Sequence, residues 1–156
     1  MSKLQRLRRL LGVLSVLTLL FIWGNSLLPA ATSSALSNWV KSILPDFGGQ
    51  EGEVSTFFIR KLAHFTEYAV LGALLTWRAL LGSAEERPPL RNLALMGVFA
   101  ALIDETIQMT NDRSAQVRDV WIDFGGFTLG VLAVWGIITV IRHHQRIKED
   151  GTRGRV

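Results

Sequence analysis

The sequence predicts an all-α fold: a four-helix transmembrane bundle, N- and C-termini cytoplasmic, with a short amphipathic helix in the first outer loop. Three observations predict it. The chain of 156 residues is 49% apolar and only 19% charged, with a mean hydropathy of +0.29. That balance excludes disorder and is unusual for a soluble domain of this size. The apolar residues fall into four stretches on the scale of a spanning helix, which needs roughly 20 residues. The basic residues then gather on one side of the topology that four crossings produce. Cysteine is absent, which excludes disulfide frameworks, thiolate zinc sites and cysteine nucleophiles.

The elements follow in order. Residues 10–28 form an uncharged first span behind a basic start at Lys3, Arg6, Arg8 and Arg9. This stretch is longer than the apolar core of about 7 to 15 residues in a cleaved leader, so it reads as a retained helix. In the loop 29–59, Leu36, Trp39, Val40, Ile43 and Leu44 recur at helical spacing after Thr32-Ser33-Ser34, and Pro45 and Gly48-Gly49 end the pattern. That helix lies on the outer leaflet or caps the bundle's outer end. The second span, 62–81, carries His64, Glu67 and Arg78; the third begins at 93–103 and runs into Asp104, Glu105 and Gln108; the fourth, 121–141, is interrupted only by Asp123. The chain divides into a basic cytoplasmic N-terminus (1–9), a membrane domain (10–141) and a basic cytoplasmic tail (142–156).

The charges orient the bundle. With the N-terminus inside and four crossings, the inner side holds 12 of the 17 basic residues and four of the 13 acidic ones, leaving five basic and nine acidic outside. The positive-inside rule selects this arrangement and places the chain in the plasma membrane with the bilayer as its partner. The net charge of +4 is therefore a topology signal, and a nucleic-acid partner is excluded.

The remaining polar residues collect at the outer ends of the helices. Arg60, Lys61, His64, Glu67 and Tyr68 fall within an arc of roughly 120° at helical spacing. Asp104 and Gln108 share a face, with Glu105 beside them and Gly97 and Ala101 continuing it. Asp119, Asp123, Gly126 and Gly130 make one stripe, and Gly126-x-x-x-Gly130 is a small-xxx-small pattern that lets helix backbones approach. An ionisable group in a membrane costs roughly 2.5 to 3.5 kcal/mol on insertion scales, so these residues point into the bundle. The pattern predicts an outward-facing charged pocket floored by tight packing at Gly97, Gly126 and Gly130.

Several chemistries suit such a pocket. In acid/base or phosphoryl chemistry, His64 with Glu67 is a base and its orienting carboxylate, His64 and Glu105 exchange protons, and Asp104 belongs to the same catalytic group. Lys61, Arg113 and Arg118 hold an anion, Asp119 and Asp123 orient them, and Tyr68 and Gln108 add substrate contacts. Alternatively Glu67, Asp104, Glu105, Asp119 and Asp123 hold a divalent cation as cofactor. A third reading is headgroup recognition or carriage without chemistry, and a fourth is a structural ion-pair network. There is no H-E-x-x-H, no Gly-x-Ser-x-Gly and no Walker A loop. His143 and His144 read as the cytoplasmic membrane edge.

The blocks Lys61-x-x-His64-Phe65-x-Glu67-Tyr68, Asp104-Glu105-x-x-Gln108, and Arg113, Asp119, Asp123, Gly126, Gly130 together resemble the VanZ-like family of small multi-pass membrane proteins. The stretch 21–29, with Asn25-Ser26, is similar to that family's first-helix exit, while Asp123 stands where the family commonly has Asn. The resemblance implies a cell-envelope role, the name-giving member being associated with resistance to the glycopeptide teicoplanin. A lipid-linked or lipid-anchored envelope molecule at the outer leaflet fits as the partner.

Overall fold

The computed structural model describes residues 2–43, 52–83, 86–110 and 116–153. It contains five helices: α1 (Lys3–Ser26), α2 (Ala30–Ile43), α3 (Gly52–Leu80), α4 (Leu90–Met109) and α5 (Val117–Arg153), with no strand among the described residues. The fold is all-α.

Local chemistry sets the helix ends. Ser2 and Gln5 form a reciprocal capping box at the start of α1, each side chain bonding the other's backbone N–H at 3.0 and 3.2 Å. Pro88-Pro89 leads into α4, and Thr110 closes it by donating its hydroxyl to the Ile107 carbonyl at 2.7 Å. Asp119 sits in the first turn of α5, where the helix dipole favours an anion. α2 starts at Ala30, two residues before the Thr32-Ser33-Ser34 signal, because the Pro29 carbonyl already accepts from Ser33 at 3.1 Å. Its expected end at Leu44, Pro45 and Gly48-Gly49 lies outside the described residues. α5 is 37 residues long, about 55 Å at ~1.5 Å per residue, and stays helical beyond position 141 as far as Arg153.

α1, α3, α5 and α4 pack as a ring in that order, with α3 and α4 also approaching across it, while α2 docks on α3. α3 and α5 make the most extensive contact. A Cβ on Gly72 would strike the Phe127 carbonyl, on Gly126 that of Phe65, and on Gly130 that of Ala69. These glycines bring two backbones into direct contact, as the small-residue spacing in α5 requires. Gly97 of α4 does the same for a side chain: the Phe127 ring lies 2.6 Å from where its Cβ would stand. Around this seam sits a core of Ile22, Tyr68, Leu71, Ala100, Ala101, Phe127 and Val131.

The outside of the bundle is apolar. Phe21, Phe58, Trp77, Phe99, Trp121 and Trp135 are all among its exposed large side chains. Two helices, Lys3–Ser26 and Val117–Gln145, are long and apolar enough to cross a membrane. In α3 and α4 the ionisable residues His64, Asp104 and Glu105 are buried, while Arg78 at the end of α3 and Arg91 at the start of α4 are exposed. Exposed threonines on this surface satisfy their own hydroxyls. Thr66, Thr106 and Thr139 donate to the carbonyls of Leu62, Leu102 and Trp135 at 2.7, 2.7 and 2.8 Å, the arrangement expected where water is scarce.

Candidate functional site

The polar residues of α3, α4 and α5 meet inside the ring, one layer away from the glycine seam. Helical spacing does the placing: His64, Glu67 and Tyr68 share the inner face of α3, Asp104, Glu105 and Gln108 that of α4, and Asp119 and Asp123 that of α5. Of these, His64, Tyr68, Asp104, Glu105, Gln108, Asp119 and Asp123 are buried, with Asp104 and Tyr68 fully enclosed. A cluster buried to this degree must be hydrogen-bonded, charge-paired or liganded, because unpaired charge in a low-dielectric interior is costly.

The partners divide the cluster into layers. At the rim, Lys61 forms an ion pair with Asp119, linking α3 to α5. Beside it, Glu105 accepts from the Gln116 backbone N–H at 3.2 Å, tying α4 to the start of α5. Deeper, Gln108 Nε2 donates to Asp104 Oδ2 at 3.1 Å and reaches Ser26 Oγ at 3.5 Å. Asn25 Nδ2 donates to Glu67 Oε1 at 3.4 Å. The exit of α1 therefore supplies two amide or hydroxyl contacts that hold an acidic residue on α3 and an amide on α4.

At the centre, His64 Nδ1 lies 3.6 Å from Asp104 Oδ2 and 3.9 Å from Glu67 Oε2. Asp123 completes a buried group: one ligand atom from each of His64, Asp104 and Asp123 falls within 4.8 Å of the others. The Tyr68 phenol stands in the field of Asp104, Asp123, Glu67 and Glu105. Its hydroxyl, Glu67 Oε2, Asp119 Oδ1 and Asp123 Oδ2 have no hydrogen-bond partner among the described residues.

The expected site residues thus converge with three qualifications. Arg113 lies outside the described residues. Arg118 is exposed at the start of α5 and Arg60 is half-buried, so both stand at the rim. Lys61 already has an anion in Asp119. Of the five carboxylates expected to share a cation, Asp119 and Glu105 turn to Lys61 and Gln116, while Asp104 and Asp123 stay together and are joined by His64. Asn25, Ser26 and Gly72 were not singled out by spacing. The first two entered only through the resemblance of the first-helix exit, with no role attached, and Gly72 was visible only as a small residue one turn beyond Tyr68.

An apolar groove of about 680 Å³ runs beside the cluster between α1, α2 and α3, lined by residues including Leu17, Phe21, Val40, Leu62, Ala63 and Thr66. Glu67 is the acidic residue on its lining, so the groove connects an exposed apolar surface to the cluster.

A largely apolar exterior, a buried polar cluster and two helices able to span a bilayer define a membrane-type helical protein with a polar interior. A family model carries this further. The VanZ/LLP1 model matches residues 11–142, all five helices included in whole or in part, and the chain belongs to that family. No curated protein and no solved structure matches the chain.

Proposed function

We propose that the protein is a multi-pass plasma-membrane protein of the cell envelope whose outer-end pocket binds, or acts on, an anionic lipid-linked molecule. In this reading α1, α3, α4 and α5 each cross the bilayer with both termini cytoplasmic, and 10–141 is the membrane domain. The burial of His64, Asp104 and Glu105 supports four crossings, because the exposed faces of α3 and α4 between those residues and the exposed Arg78 and Arg91 are largely apolar. The skewed distribution of basic residues supports the orientation.

The observation that carries the substrate class is the apolar groove ending at Glu67. A hydrocarbon chain fits its lining, and its polar end adjoins the cluster where a headgroup would sit. Arg60 and Arg118 at the rim supply positive charge for an anion, and Lys61 can exchange its Asp119 carboxylate for a substrate one. An influence on glycopeptide susceptibility of the teicoplanin type would be the cellular consequence.

Native mass spectrometry of the gently extracted full chain tests this, with wild type beside Ala63→Phe. The variant fills the groove without touching the polar cluster. A lipid-linked phosphate or pyrophosphate bound to wild type and lost in the variant is the expected result. Equal, bare masses for both would overturn the reading.

The Lys61–Asp119 pair favours a second reading: a non-enzymatic carrier or scaffold in which the polar residues are a structural network. Under that reading a swapped pair, Lys61→Asp with Asp119→Lys, restores folding and every cellular phenotype of the wild type. A substrate site would lose function in the swap while keeping its fold.

A further inference from the structure

The deepest part of the cluster brings an imidazole and two carboxylates to metal-ligand spacing. His64 Nδ1 and Asp104 Oδ2 stand 3.6 Å apart, too far for a hydrogen bond between them. Two ligands of one metal ion with bonds of about 2.0–2.2 Å sit roughly 3 to 4 Å from each other, according to the angle between them. The His64–Asp104 separation lies inside that range, and the ligand atoms of His64, Asp104 and Asp123 all lie within 4.8 Å of one another.

Charge argues the same way. Asp104 and Asp123 are 0% and 2% exposed and sit near Glu67 and Glu105, while the neighbouring lysine is taken up by Asp119. Asp123 Oδ2 is buried with no hydrogen-bond partner among the described residues, and an ion beside it would offset the like charges gathered there. The second, independent observation is Tyr68, whose side chain is fully buried. Its phenol oxygen feels the charges of Asp104 and Asp123 yet has no hydrogen-bond partner among the described residues. A water carried on an ion supplies that partner. Gln108, donating to Asp104 at 3.1 Å, orients the carboxylate in the way outer-shell groups commonly do.

We infer that His64, Asp104 and Asp123 form a binding site for one divalent transition-metal ion, held by one imidazole nitrogen and two carboxylate oxygens across α3, α4 and α5. The mixed nitrogen and oxygen set favours an ion such as Mn²⁺ or Zn²⁺ over Ca²⁺, which takes oxygen ligands. The inference does not rest on the lipid reading, although a metal in this position would give an anionic headgroup a positive partner.

The test is metal titration of the detergent-purified full chain after chelator stripping, with MnCl₂ followed by electron paramagnetic resonance and ZnCl₂ as competitor. One Mn²⁺ per chain is expected, displaced by Zn²⁺ and unaffected by equimolar CaCl₂. Asp123→Asn keeps the shape and removes a buried charge; its affinity should fall at least ~10-fold, the scale seen when even an outer-shell partner is lost. Imidazole-nitrogen modulation in the pulsed spectrum should vanish in His64→Gln, while the tail variant His143→Gln/His144→Gln keeps both stoichiometry and modulation. No bound metal in wild type, equal affinity in Asp123→Asn, or loss in the tail variant would each overturn the site. Metal bound without any copurified lipid leaves this inference standing and counts against the lipid reading; lipid retained by a chain that binds no metal does the reverse.

Discussion

The two ends of the helix bundle carry the same residue types in opposite circumstances. At the end where α1 begins and α3 gives way to α4, Arg8 pairs with Glu86 in the open, their side chains 31% and 54% exposed. Arg87 folds back on the carbonyls of Gly82 and Leu80 at 3.2 and 3.4 Å, capping α3. At the other end Lys61 pairs with Asp119 at 16% and 7% exposure, and Asp104, Glu105 and Asp123 are buried. An exposed pair is screened by water and contributes about 0–1 kcal/mol. A buried one has lost its solvation, so each partner depends on the other. The first end is a solvated fringe; the second is an interior that must be balanced group by group.

That contrast breaks most completely if the seam beneath the buried end is forced apart. Gly130→Leu puts a side chain into the Ala69 backbone, and the expected loss is ~3 kcal/mol or more, at or beyond the upper end of ordinary overpacking. Size-exclusion profiles and thermal melts in detergent should show little folded protein, whereas Gly136→Leu, with open space around that glycine, should melt near wild type. Next in size is Lys61→Ala, which strands Asp119 in the interior at a cost of about 3–5 kcal/mol. Lys61→Met with Asp119→Leu should recover most of that loss in the same melts. If the single variant costs no more than an exposed pair, the distinction between the two ends fails.

Glu105→Gln sharpens the comparison within the buried end. The amide oxygen can still accept from Gln116, so stability should change by ~1 kcal/mol or less, the worth of one hydrogen bond. Loss of cellular function at unchanged Tm would mark the charge of Glu105 as functional; full function would remove it from the candidate proton-exchanging groups. The smallest effect is expected for Glu86→Ala at the exposed end, about 0–1 kcal/mol and smaller still in high salt.

The helices and the inward direction of their charges were legible in the sequence because both rest on local rules. Apolar runs mark spans, and residues three or four apart share a face. The convergence of His64, Asp104 and Asp123 follows from those rules once the helices are ringed. Partner choice does not. Asp119 and Asp123 lie one turn apart on the same stripe, yet one meets Lys61 and the other His64 and Asp104, because the register of α5 against α3 sets Asp119 beside Lys61 and Asp123 about one turn further along, beside His64. The roles of Asn25 and Ser26 depend on where α1 ends against α3 and α4, a tertiary fact with no periodic signal. Gly72 was equally hidden, since its need for a missing Cβ arises from the Phe127 backbone on another helix.

The seam between α3 and α5 also bears on mechanics. Backbone resting on backbone leaves no rotamers to adjust, so these two helices form a stiff plate, and His64 and Asp123, mounted on it, keep their spacing. α4 touches that plate through the Phe127 ring at Gly97 and through polar side chains, which are softer contacts. Compliance around the central histidine therefore resides in Asp104. Because the chain lacks cysteine, spin labels can be placed on a chosen pair of helices without background. Labels across α3 and α5 should give one narrow distance, and labels across α3 and α4 a broader one; equal widths would mean that the plate and its third wall yield alike.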